Sequence, residues 1–341
     1  MRSIPILILA LCTGLSAQQV VDSHTTESLR GVSVPSKNVA WASGTHGTYL
    51  RSTDSGKTWQ AAQVPGAETL DFRDVEAFDS EIAYLLAAGP GEQSRIYKTT
   101  DAGKNWALQF TNKEPKGFFD CMAFWDRDHG IAVGDPVNGK FELITTTDGG
   151  ASWKPAAKGD LDPPTAIEGE GAFAASGTCI TTAGKSDVWF ATGGTASRVF
   201  HSTDAGKNWT WVTTPVIRGE ASSGIFSIAF RDAKHGVIAG GDYKQPSKDG
   251  ANVAVTSDGG RTWKLAWASP QAYFSAVAFP ARGKSAILVA GSARAAYLAQ
   301  LSDKAWTKTW DLNLNALAVS PDGVIIGVGP KGTIVLFNLS D

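Results

Sequence analysis

The sequence predicts an all-β fold, a seven-bladed β-propeller. Three observations carry that prediction: a turn motif repeated at long intervals, four short strand patterns between successive turns, and hardly any helical periodicity. The motif reads STDSGKTW from Ser52, TTDAGKNW from Thr99, TTDGGASW from Thr146, STDAGKNW from Ser202 and TSDGGRTW from Thr256. A degenerate copy, LSDKAWTKTW, starts at Leu301. Its aspartates, Asp54, Asp101, Asp148, Asp204, Asp258 and Asp303, are spaced by 47, 47, 56, 54 and 45 residues. A period of about 50 residues signals a radial or stacked repeat.

Each copy reads as a hairpin. Ser or Thr ends one strand and the aspartate carboxylate accepts backbone N–H groups across the turn. Glycine (Gly56, Gly103, Gly150, Gly206, Gly260) takes a conformation costly for other residues. Tryptophan (Trp59, Trp106, Trp153, Trp209, Trp263) opens the next strand and packs inward. A calcium loop would need several more oxygen ligands at alternate positions, so the turn is a folding device.

The strands between turns repeat as well. VEAF, IAYLLAAG, RIYKTT and WALQF follow one another from Val75, and CMAF, GIAVG, FELITT and WKPA from Cys121. Four such strands make a blade. The first unit spans about 29–66, and others begin near 70, 116, 176, 223, 272 and 312. The last unit is one strand short, while QQVVD from Gln18 has no partner in the first. An N-terminal strand completing the last blade would close the ring and remove two exposed edges.

The 341 residues therefore resolve into a leader and one domain rather than the two domains that length alone suggests. Residues 1–17 carry Arg2, an apolar run from Ile4 to Leu11 and a small-residue exit at Ala17, the pattern of a cleaved secretory signal. The apolar run is too short to span a bilayer, so the expectation is a propeller over 18–341, secreted or periplasmic and monomeric. A formal net charge of -2 and the lack of a basic stripe argue against nucleic acid as a partner. No phosphate loop or dinucleotide fingerprint calls for a cofactor, and the scattered histidines offer no metal site.

The octapeptides match the Asp-box, or BNR, repeat of sialidases and many exported propellers. Taken with the unit count and the leader, the chain most resembles the photosystem II assembly and stability factor propellers and their bacterial relatives. That resemblance implies a non-enzymatic binding and assembly scaffold. The sialidase branch implies a carbohydrate-active glycosidase, but the Arg-Ile-Pro segment of sialidases is missing, and Tyr97 and Tyr243 have no glutamate partner by spacing.

The loops joining one unit to the next, and those joining the second strand to the third, share one face. Two are long: Lys154 to Thr178, with Glu168 and Glu170, and Gly240 to Ala251, with Asp242 and Tyr243. Aligning the inner strands on VEAF, CMAF, SIAF and AVAF places Arg30, Asp74, Asp120, Thr178, Phe226, Ser275 and Asn315 at one level. With Arg73 beside them, these polar residues form a candidate site for a protein partner or a carbohydrate. Asp120 and Glu170 are the candidate acid pair if the chemistry is glycoside hydrolysis. The same alignment sets Cys121 and Cys179 level on adjacent units, where they could pair or stay free depending on the inter-strand distance.

Overall fold

The computed structural model describes residues 18–155, 162–248, 250–266, 272–280, 286–291, 295–300 and 305–337. The expected leader and Asp303 lie outside them. Regular structure among the described residues is strand, apart from one 3-10 turn at Gly91–Gln93.

In the first blade Leu29–Ser33, Ala40–Gly44, Thr48–Ser52 and Gln60–Gln63 lie side by side in chain order. Phe72–Ala77, Phe119–Phe124 and Ile180–Ala183 begin the second, third and fourth blades. Each of these inner strands packs against the next, and the series continues through Ser223–Phe230, Ala276–Ala278 and Ala316–Val319 back to Leu29–Ser33. The ring closes through Gln18–Val21, which pairs antiparallel with Ile334–Phe337.

The expectation of seven blades is corrected to six: among the described residues six sheets are four-stranded blades, the fifth and sixth starting at Ala276–Ala278 and Ala316–Val319. Between the fourth and fifth lies a six-stranded sheet. Ser223–Phe230, Gly236–Asp242, Val253–Thr256 and Lys264–Leu265 are joined there by two short strands from earlier loops, Glu170–Gly171 and Gly193–Gly194. Glycine permits the junction. Gly193 pairs with Gly224, and a Cβ on Gly224 would lie 2.2 Å from the Gly193 Cα.

The core lies between neighbouring sheets. Trp41, Phe72, Leu85 and Tyr97 fill the space between the first two blades, and Phe141, Phe190 and Phe200 that between the third and fourth. Second strands such as Ala83–Ala87 are buried along their whole length because both faces meet a neighbouring sheet. Cys121 and Cys179 are bonded across the third and fourth blades, their Cα atoms 6.0 Å apart, within the range a disulfide requires.

The repeated turns share one hydrogen-bond pattern. In the first, the Ser52 hydroxyl donates to Asp54 Oδ1 at 2.8 Å and accepts the Gly56 N–H at 3.0 Å. Asp54 also accepts the Thr58 N–H at 2.9 Å and the Thr58 hydroxyl at 2.7 Å. The same bond from the residue four positions on recurs at Asp101, Asp148, Asp204 and Asp258, donated by Asn105, Ser152, Asn208 and Thr262. The position before each glycine is also left-handed: φ is 68° at Ser55, 65° at Ala102 and 59° at Ala205, while the other two copies place Gly149 and Gly259 there.

Candidate binding site at the ring mouth

Four inner strands carry a bulge at the same height. Pairing with the second strand skips one residue at Arg30, Arg73, Asp120 and Phe226. A bulge turns the extra side chain out of the sheet's alternation. These four residues line one cavity of about 470 Å³ at the mouth of the ring, together with Asp135, Phe173, Tyr243, Tyr273, Ser275 and Asn315 among others.

The arginines share Asp71. Arg73 Nε is 2.8 Å from Asp71 Oδ2 and its Nη1 donates to the Ala174 carbonyl at 3.0 Å, while Arg30 Nε stands 3.6 Å from Asp71 Oδ1. Across the cavity Asp120 is buried, and its Oδ2 has no hydrogen-bond partner. Burial, reinforced by the charge of Asp135, pushes the Asp120 carboxyl well above the usual range against the pull of Arg73. Asp135 Oδ1 accepts the Ala172 N–H at 3.0 Å, and burial raises Asp135 to about 6. Phe173 and Phe226 stack at 4.0 Å, with Tyr273 edge-on to Phe226 at 4.8 Å. Tyr243, 46% exposed, stands at the rim.

Of the residues the sequence singled out for this site, Arg30, Arg73, Asp120, Phe226, Tyr243, Ser275 and Asn315 come together. Asp74 does not line the cavity: it pairs with Leu86, level with Gly31, Cys121 and Ser227 rather than with Asp120. The shared Ala-Phe ending misaligns the strands by one residue. The Phe78 N–H bonds across its turn to Ile82, as Trp125 bonds to His129 and Arg231 to His235, so Phe78 matches Trp125 and not Phe124. Asp74 instead accepts the Met122 N–H of the third blade at 2.7 Å.

Thr178 belongs to a separate cavity of about 420 Å³ along the inner strands, which Glu76 also lines. Its hydroxyl bonds Ser176 at 2.7 Å and Ser227 at 2.6 Å. Glu168 is exposed, and its carbonyl accepts the Thr195 hydroxyl. Asp242 braces its own loop, accepting the Lys244 N–H at 3.0 Å and the Gln245 amide at 3.2 Å.

Glu170 is occupied structurally. Arg198 grips both its oxygens, through Nε at 2.8 Å and through Nη2, and the Thr192 hydroxyl adds a third bond at 2.6 Å. Arg198 itself lies against the Phe200 and Trp211 rings at 4.6 and 4.7 Å. This cluster anchors the short strand Glu170–Gly171, and the acid facing Asp120 in the cavity is Asp135. Sequence reasoning missed Asp135, Phe173 and Tyr273. Asp135 directly follows the GIAVG strand, where a loop of the chosen face begins, and that position was the available signal.

No family model matches the chain, and no curated protein matches it. Solved structures do. YCF48 bound to D1 peptide is 15% identical with a TM-score of 0.67, over 95% of this chain and 97% of that one. YCF48 from Cyanidioschyzon merolae is 17% identical with a TM-score of 0.65, over 94% and 98%. The fold is similar to that of the YCF48 propellers. A GH74 enzyme of Niastella koreensis is 16% identical with a TM-score of 0.63, and 94% of this chain matches 53% of that one. At such identities the likeness concerns the fold alone.

Proposed function

We propose that this chain is an exported, non-enzymatic binding and assembly propeller that receives a protein segment at the ring mouth. The carrying observation is the cavity itself: bulges on four inner strands turn two cations, an acid and an aromatic ring into one space at the end of a rigid scaffold. The likeness to a YCF48 propeller with a bound peptide supports a protein partner. The leader-like first 17 residues and the paired cysteines, which need an oxidising compartment, support export. The Asp-box resemblance is part of the same reading.

Photo-crosslinking tests it. A benzophenone side chain placed at Tyr243, on the rim, should capture a partner from the native envelope. The same group at Leu108, 50% exposed on Ala107–Thr111, the outermost strand of the second blade, should not. Capture from Leu108 alone, or equally from both, would refute the mouth as the binding face. The second reading, a carbohydrate-active enzyme, is favoured by the Asp120 and Asp135 carboxyls in one cavity and by the GH74 likeness. It requires release of reducing ends from a polysaccharide, lost on Asp120→Asn.

A further inference from the structure

We propose that the mouth cavity takes an organic ammonium group, the side chain of a lysine in the partner segment, against Asp135 and Asp120. The inference rests on the reading that the mouth receives a protein segment, and it names what the segment must present. Asp120 lines the cavity with Oδ2 buried and unpartnered, and Asp135 stands beside it with one oxygen on the Ala172 N–H. The arginines do not supply the missing charge in full, because both are drawn to Asp71 and Arg73 also donates to a carbonyl. Counting Asp71 beside the cavity, three carboxylates stand against the two arginines once Asp120 and Asp135 ionise. An incoming single positive charge restores the balance.

The wall between the acids and the rim is aromatic, from Phe173, Phe226, Tyr273 and Tyr243. Ring faces favour a cation, and their carbon suits the four-methylene stem of lysine. A metal ion fits less well. Among the described residues no group of three or more His, Cys, Asp or Glu side chains is placed to hold one.

Below about pH 6 burial leaves a proton on Asp135 in the empty cavity, and an arriving ammonium displaces it. The groups facing the pair are Arg73 of the second blade, Arg30 of the first, Glu142 of the third, Tyr243 at the rim and Tyr273 before the fifth, with the Glu170–Arg198 pair behind Gly171. Burial and Asp135 also raise Glu142, so proton uptake by that group runs in the same direction. Affinity for the amine accordingly increases from pH 5 to pH 8.

The experiment titrates the purified chain calorimetrically with N-acetyl-lysine methylamide and with its norleucine counterpart. At pH 8 the lysine probe should bind roughly tenfold more tightly, and at pH 5 the preference should close. Near pH 6 the heat should change with the ionisation enthalpy of the buffer, as proton release requires. Asp135→Asn should abolish the preference while the chain stays folded, melting at pH 8 no lower than the parent. Tyr243→Leu, at an exposed position where folding is not at issue, should weaken lysine binding by about threefold. Equal binding of both probes, or no binding of either at about 50 mM, overturns the proposal. Capture from Tyr243 in the crosslinking experiment would then still uphold the mouth as the binding face, whereas failure of both experiments would remove both.

Discussion

The outer turns and the ring mouth treat carboxylates in opposite ways. At each repeated turn the aspartate is surrounded by donors at the solvent edge. The side chains of Ser152 and Asn208 are the main cause holding Asp148 and Asp204 at about 2. At the mouth, Asp120 and Asp135 sit in a wall with few donors and are pushed upward by burial. The turns repeat five times with nearly the same bonds, while the equivalent bulges at the mouth carry an arginine, an arginine, an aspartate and a phenylalanine. Repetition belongs to folding, and departure from it to the site.

The largest expected effect lies next to the mouth. Replacing Cys121 and Cys179 by serine removes a link closing 58 residues, which in the chain-entropy view costs about 4 kcal/mol. Denaturant melts of the double variant should show it. A change under 1 kcal/mol would mean that the unfolded chain gains little freedom when the link is lost. At the outer turns, Trp59→Ala should cost about 3 kcal/mol, since the ring is 3% exposed and its Nε1 donates to the Gly56 carbonyl at 2.8 Å. Equal stability would show that the turn tryptophans are dispensable to the blades.

Asp204→Ala should cost less, about 2 kcal/mol, because it strips acceptors from the Asn208 backbone and side chain and from the Ser202 hydroxyl. Its pH signature is distinctive. The folded carboxyl is depressed below its unfolded value of 3.8, so its contribution is fully present above pH 4 and is lost as pH falls toward about 2. The variant should therefore lose stability less steeply than the parent in acid. Parallel curves would contradict the assigned role.

How far the sequence reveals each region follows from the same contrast. The turns were legible because one short motif contains donor, acceptor, glycine and tryptophan together, and the expected carboxylate bonds are present in all five good copies. Arg30, Arg73 and Asp120 were legible as polar residues at strand starts. The bulges were not, because an extra residue leaves no mark in a four-residue pattern; Asp74 falls one position out because the shared Ala-Phe ending matches Phe78 to Phe124 rather than to Trp125. The six-stranded sheet was hidden too, since Glu170–Gly171 and Gly193–Gly194 are too short to show periodicity. Glu170 looked like a loop acid because Arg198, its partner, is 28 residues away.

The smallest effect is the one that sets the two regions most directly against each other. Asp135 is raised from 3.8 to about 6, so between those values the folded chain binds more protons than the unfolded one. Stability then falls as pH rises through that window, the reverse of the slope that Asp204 gives in acid. Glu76, lifted to about 7 by burial, extends the fall toward neutrality. Asp135→Asn keeps an oxygen for the Ala172 N–H and removes the ionisation, so it should gain on the order of 1 kcal/mol at pH 7 and nothing at pH 4. Urea melts of both proteins at the two pH values measure this difference. A variant less stable than the parent at pH 7 would mean that the Asp135 charge is already balanced in the empty cavity, by Arg73 or Arg30, and that the mouth has no excess acid to offer a cation.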